Sequence, residues 1–68
     1  MDKKLYFIRK GYHFLQKGDE YYKQGSRVIR RGITPQNQKL RDELYEKGNR
    51  CFEISNAYYK RARAIKEQ

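Results

Sequence analysis

Small and apolar residues recur every seven positions through two long stretches of this chain. In the first stretch Gly11, Gly18 and Gly25 fall on one line headed by Lys4. With that line as position a of a cycle a to g, position d is Phe7, Phe14, Tyr21 and Val28. Position e is Ile8, Leu15, Tyr22 and Ile29. The second stretch has Arg41, Gly48, Ser55 and Ala62 at a, and Leu44, Cys51, Tyr58 and Ile65 at d. Its e residues are Tyr45, Phe52, Tyr59 and Lys66. At helical spacing d and e lie about 60° and 40° to either side of a, so each stretch predicts a helix with an apolar stripe about 100° wide. A small residue flanked by two large apolar ones, repeated in both halves, is the pattern an internal duplication would leave.

Each glycine inside a helix costs about 1 kcal/mol relative to alanine. Several in one phase need a compensating gain, and the usual one is the close approach of another backbone. Loops made of short helices are the alternative, but turns space glycines irregularly. A membrane glycine zipper is excluded as a spanning element by a lysine or arginine at nearly every turn.

The punctuation between the stretches is Arg31-Gly32-Ile33-Thr34-Pro35. Gly32 suits the left-handed position past a helix C-terminus, with Ile33 making the apolar contact of such a cap. Thr34 suits an N-cap, and Pro35 the first helical position. Arg27, Arg30 and Arg31 fall at the negative end of the first helix, and Asp42 and Glu43 early in the second, which suits the helix dipoles. The pattern predicts a helix over about 3–31, a turn at 32–34 and a helix over about 35–66, joined tightly enough to force an antiparallel hairpin.

Folding the chain at residue 33 makes facing positions sum to about 66. Gly18 then faces Gly48, and Gly11 faces Ser55. Large residues form layers on either side: Phe14–Cys51, Tyr21–Leu44 and Phe7–Tyr58 on one, Leu15–Phe52, Tyr22–Tyr45 and Ile8–Tyr59 on the other. At the ends Arg41 faces Gly25 and Lys4 faces Ala62, where the long side chains can lie across the glycine groove with their charges in water. The fold class expected is all-α: a close-packed antiparallel two-helix hairpin, with Gly11, Gly18, Gly25, Gly48, Ser55 and Ala62 as the seam. Leu5 and Tyr12 lie beyond the e edge, and Leu40 and Ile54 beyond the d edge. Two helices alone cannot cover so wide a stripe, so pairing into a four-helix bundle, with a dimer favoured, is expected.

Composition sharpens this reading. The chain has 68 residues, too few to bury a core worth more than about 3–5 kcal/mol unaided. One cysteine, Cys51, forms no intrachain disulfide, and no zinc-ligand spacing is present. There is neither a membrane-length apolar run nor, at residues 1–8, one long enough for a signal peptide. A cytoplasmic or virion-internal setting follows as the expectation.

The net charge of +9 is concentrated in the first half, where nine Lys/Arg meet three acids; the second half has eight against five. On the first helix positions f and g are Arg9, Lys10, Gln16, Lys17, Lys23, Gln24, Arg30 and Arg31, none of them acidic. Such a band follows a phosphate backbone through counterion release, without reading sequence. The candidate nucleic-acid-binding residues are Arg9, Lys10, Lys17, Lys23, Arg27, Arg30 and Arg31. A solubilising face is the plainer account of the same charges. On the second helix f and g mix Glu46, Glu53 and Glu67 with Lys47, Lys60 and Arg61, as an ordinary solvated face does.

Seven tyrosines are many for this length. Tyr21, Tyr22, Tyr58 and Tyr59 are expected in the seam with hydroxyls at its rim. Tyr6 and Tyr12 lie off it. His13 has no second ligand or orienting partner at useful spacing, Cys51 reads as a small seam residue, and Ser26 and Ser55 have no base nearby. The glycines are interior to helices and build no phosphate loop. Neither enzymatic activity nor a metal or cofactor is expected. The leading expectation is a packaging or accessory protein that binds nucleic acid. The alternative is an adaptor, inhibitor or assembly subunit that docks on an acidic protein through Leu5, Tyr6, Tyr12, Leu40 and Ile54. Its size and charge suit a small viral or mobile-element protein. Anionic membrane surfaces are a weaker third partner, since the apolar stripe is already used within the hairpin.

Overall fold

The computed structural model describes residues 2–65. It is a rod of 55 × 13 × 12 Å made of two antiparallel helices, α1 (Lys3–Arg31) and α2 (Pro35–Ala64). Lys66, expected at an e position, lies outside the described residues.

Helix α1 starts at Asp2, whose carboxylate accepts the backbone N–H groups of Lys4 at 2.9 Å and Leu5 at 3.4 Å. That cap satisfies two donors that the first turn leaves free, and places an anion at the positive end of the dipole. Helix α2 starts with Thr34 as N-cap, its Oγ1 accepting from the Asn37 N–H at 3.1 Å, and Pro35 as the first helical residue.

The turn differs from expectation in two ways. Gly32 has φ 155° and ψ 144°, so it leaves the helix in an extended, positive-φ conformation instead of the left-handed helical one. Its N–H donates to Ile29 O at 3.1 Å, and its carbonyl accepts from Asn37 Nδ2 at 2.8 Å. The first residues of α2 thus hold the exit that a left-handed cap would have closed locally. As a result Ile33 is not packed on the helix end; it is 75% exposed. Asp42 and Glu43 lie beyond the first turn of α2, which has no acid, so they miss the region where the dipole acts.

The buried positions are Gly11, Gly18, Gly25, Gly48, Ser55 and Ala62, all on the a line, on which Arg41 is half-buried. Three contacts fix the register. Ser55 Oγ donates to Gly11 O at 2.6 Å. A Cβ on Gly48 would lie 3.1 Å from Gly18 O, and one on Gly25 would lie 3.5 Å from Arg41 O. Each pair sums to 66.

The glycines do more than face one another, however. A Cβ on Gly11 would strike the ring of Tyr59; on Gly18, that of Phe52; on Gly25, that of Tyr45; on Gly48, that of Tyr22. All four rings come from e positions of the opposite helix. They lie in the groove that the missing side chains open, so each glycine is a socket for a ring. Tyr22 and Tyr45 stack with centroids 4.6 Å apart, and Tyr22 and Phe52 at 5.5 Å. On the d side Tyr58 stacks on Phe14 at 5.9 Å and meets Phe7 at a tilt at 6.1 Å. Arg41 does not stretch along the groove; its guanidinium turns to the neighbouring Asp42, Nη2 to Oδ1 3.0 Å.

Candidate nucleic-acid interface

Two helices packed along one seam leave two open faces, bounded by the d and e residues, and two outer backs. The seven candidate cations all lie on the outer side of α1. Arg9, Lys23 and Arg30 occupy f, Arg27 occupies c, and Lys10, Lys17 and Arg31 occupy g. Six of the seven are exposed, and Lys10 is half-buried. From Arg9 to Arg31 they extend over about 33 Å at 1.5 Å per residue. Among the described residues none of the seven is held in an ion pair. Their charge is therefore turned to solvent, where it attracts anions over a Debye length of about 10 Å at 0.1 M salt.

The band is not uniform. Glu20 sits at c, between the f and g rows, and lines a shallow hollow with Lys17, Tyr21 and Gln24. Asp19 borders a second hollow with Lys23, Ser26, Arg27 and Arg30. The two acids divide the cations into a group near Arg9 and Lys10 and a denser group from Lys23 to Arg31.

Treating f and g of α2 together hid a distinction. These rows are about 100° apart, so they flank opposite open faces. The acids Glu46 and Glu53 are at f, on the e side; Lys47 and Arg61 are at g, on the d side. The g rows that border the d face consequently carry no acid, with Lys10, Lys17 and Arg31 along one and Lys47 and Arg61 along the other; Glu20, at c, stands just behind Lys17. Lys17 and Arg61 lie over the rings of the d face, and Lys10 covers Tyr6 on the adjoining back of α1. Lys10 Nζ lies 5.8 Å from the Tyr6 centroid, Lys17 Nζ 5.9 Å from that of Phe14, and Arg61 Cζ 6.0 Å from those of Phe7 and Tyr58. Cations over ring faces are attracted to the quadrupole and cover apolar surface without losing water. Lys47 and Arg61, expected from sequence on an ordinary mixed solvated face, instead border the d face with the g cations of α1; separating f from g on a helical wheel distinguishes them.

The five residues expected to grip a protein do not form one site. Leu5 and Tyr12 border the e face, Leu40 and Ile54 border the d face, and Tyr6 is on the outer back of α1, though all five are exposed. Hydroxyls do collect at the seam rim. Tyr22 Oη donates to Asn49 Oδ1, and Tyr45 Oη lies 3.2 Å from Ser26 Oγ. His13 is exposed and meets Phe14 edge-on at 5.3 Å. Cys51 is half-buried. Ser55 is buried, and its hydroxyl is used in the cross-helix bond to Gly11. Among the described residues no cluster of three or more His, Cys, Asp or Glu is placed to hold a metal ion, and no helix is long and apolar enough to cross a membrane. No protein-family model matches the chain, and no curated protein or solved structure is significantly similar to it.

Proposed function

We propose that this protein is a small, non-enzymatic, sequence-tolerant nucleic-acid-binding module of a packaging or accessory kind. The observation that carries this reading is the set of seven cations along one side of one helix, none of them paired with an acid among the described residues. A surface built only for solubility would gain from interspersed acids, as the f row of α2 has. Arg9, Lys10, Lys17, Lys23, Arg27, Arg30 and Arg31 contact phosphates, and Lys47 and Arg61 extend the basic surface around the d face. No recognition helix, finger or sheet presents side chains to base edges, so affinity comes from counterion release.

The test is fluorescence anisotropy of a labelled duplex and a labelled single strand of arbitrary sequence. Six or more phosphate contacts predict that affinity falls by about 10³ or more between about 50 and 200 mM salt. Replacing Lys17, Arg27 and Arg31 together by glutamine should flatten the slope of log K against log salt by about 3. Absence of binding at the lower salt, or an unchanged slope in the triple variant, would overturn the proposal. The first result would direct the search to an acidic protein partner.

A further inference from the structure

The two open faces of the hairpin are finished differently. The d face is roofed by Lys17 and Arg61. Near the turn the e face is closed by the Tyr22–Asn49 and Ser26–Tyr45 hydroxyl contacts. The other half of the e face, toward the chain ends, has no such cover. There Leu5, Ile8, Tyr12 and Leu15 form one continuous ridge on α1, 36–55% exposed, beside the half-buried rings of Phe52 and Tyr59. Four large apolar side chains in a row are an interaction surface.

We infer that this ridge is a homodimer interface, in which α1 of each copy packs on α2 of the other with both turns at the same end. The borders of the face select that arrangement. The f row of α1 carries Arg9, Lys23 and Arg30; the f row of α2 carries Glu46 and Glu53 between Lys39 and Lys60. Because facing residues sum to 66, Glu53 lies at the level of residue 13 on α1 and Glu46 at the level of residue 20. A two-fold axis along the rod keeps those levels. It brings α2 of the partner beside α1, with Glu53 within about one helical turn of Arg9 and Glu46 within one turn of Lys23. Lys60 falls at level 6 and Lys39 at level 27, each within a turn of an end cation, Arg9 or Arg30. The attraction is therefore centred on the two acids between them and is cleanest at Glu46 and Lys23. Glu46 already accepts from Arg50 at 2.8 Å, with a second carboxylate oxygen left for a lysine. A two-fold axis across the rod would instead set α1 on α1, cation row against cation row. At the core of the favoured arrangement the ridge of each copy meets Phe52 and Tyr59 of the other. Border charges fix partner and direction, and the apolar ridge supplies the affinity. The dimer draws Arg9 and Lys23 from the phosphate-binding set, but Lys17, Arg27 and Arg31 lie away from this face, so the salt-slope test on those three fails or holds independently of the dimer.

Sedimentation equilibrium of the full chain should give twice the 8.3 kDa monomer mass. Tyr12→Lys with Leu15→Lys should raise the dimer dissociation constant about 100-fold or more, roughly tenfold for each anchor lost. Lys23→Glu alone should weaken the dimer, and Lys23→Glu with Glu46→Lys should restore it; recovery in the double swap separates loss of pairing from loss of folding. Spin labels at Gln36→Cys in a Cys51→Ser background read the direction. Neighbouring helices sit about 10 Å apart, so same-end turns should place the labels within about 25 Å. A dimer with turns at opposite ends would separate them by a distance approaching the 55 Å rod length. A monomer at every concentration, a dimer indifferent to the double lysine variant, or labels a rod length apart would each overturn the inference.

Discussion

The line of glycines makes its sharpest prediction at Gly18, where two opposing terms can be weighed. Helix propensity favours any ordinary residue there: alanine gains about 1 kcal/mol over glycine and leucine nearly as much. Space opposes it. A Cβ on Gly18 would fall 2.6 Å from Cδ1 and 2.9 Å from Cζ of Phe52. Carbon atoms in ordinary contact are about 3.5–4.0 Å apart, so the ring must retreat by about 1 Å. That ring also stacks on Tyr22, which itself fills the socket of Gly48, so a shift at one layer is passed to the next. Overpacking of this kind costs about 1–3 kcal/mol. Gly18→Ala should therefore range from neutral to about 2 kcal/mol less stable. Gly18→Leu places three more carbons where the first does not fit, and should cost about 3 kcal/mol net. At about 4–8 °C per kcal/mol for a domain this small, its Tm should fall by about 12–24 °C. The assay is thermal melting by far-UV circular dichroism at one fixed concentration, because association alters apparent stability. Ala57→Gly, on an exposed position of α2, calibrates the propensity term by costing about 1 kcal/mol. A Gly18→Leu protein that melts at or above its parent would mean that no ring occupies the socket, and would refute the close-packed seam.

Two further substitutions probe the same architecture. Ser55→Ala removes the buried bond to Gly11 O and should cost about 1 kcal/mol in urea unfolding with the m-value unchanged; equal stability would mean that the cross-helix bond contributes nothing. Gly32→Ala forces a side chain onto a φ of 155° and should cost about 1–3 kcal/mol, whereas a gain, as lower unfolded-state entropy alone gives, would show that the turn relaxes to another path.

The hairpin and its register were legible because both rest on periodicity. A small residue every seventh position fixes the inward line, a short turn fixes the direction, and together they bring Gly11 to Ser55 and Gly18 to Gly48. Where the rings lie was not legible in the same way. Periodicity gives the direction of a Cα–Cβ bond, but the side-chain torsions decide whether Phe52 stands beside the seam or lies across it, and those torsions respond to the space that Gly18 leaves. The cap at Asp2 was readable and passed over: an aspartate immediately before Lys3-Lys4-Leu5 is an N-terminus signal, yet it sits outside the seven-residue pattern that drew the boundaries. The path through Gly32 was not readable, because Asn37, five residues on, holds its carbonyl. As for the basic surface, the seven cations of α1 could be listed from sequence. Their relation to Lys47 and Arg61 needed the pairing of the helices, since only that pairing turns two g rows toward the same open face.

That division of faces ties the dimer to the nucleic-acid reading. A hairpin has two open sides, and a chain of 68 residues has too few apolar groups to bury both within itself. This one covers its d side with lysine and arginine stems, which stay hydrated and keep the side basic. A second copy cannot seat there without stripping water from Lys10, Lys17, Arg61 and their symmetry mates together, a cost that g rows without an acid do not offset. The e side has the opposite make-up: uncovered leucine, isoleucine and tyrosine, with Glu46 and Glu53 between lysines on the α2 border and Arg9, Lys23 and Arg30 beside Asp19 on the α1 border. Dimerisation through it would use Glu46 and Glu53, the acids on the f row of α2, to neutralise part of the α1 charge at the interface. The surface left outside would then be more uniformly basic than the monomer's. A bundle assembled this way presents two cation-roofed d faces and two α1 backs, so each copy contributes an equivalent phosphate-binding surface. The salt dependence per bound duplex would then rise with the number of copies that contact it.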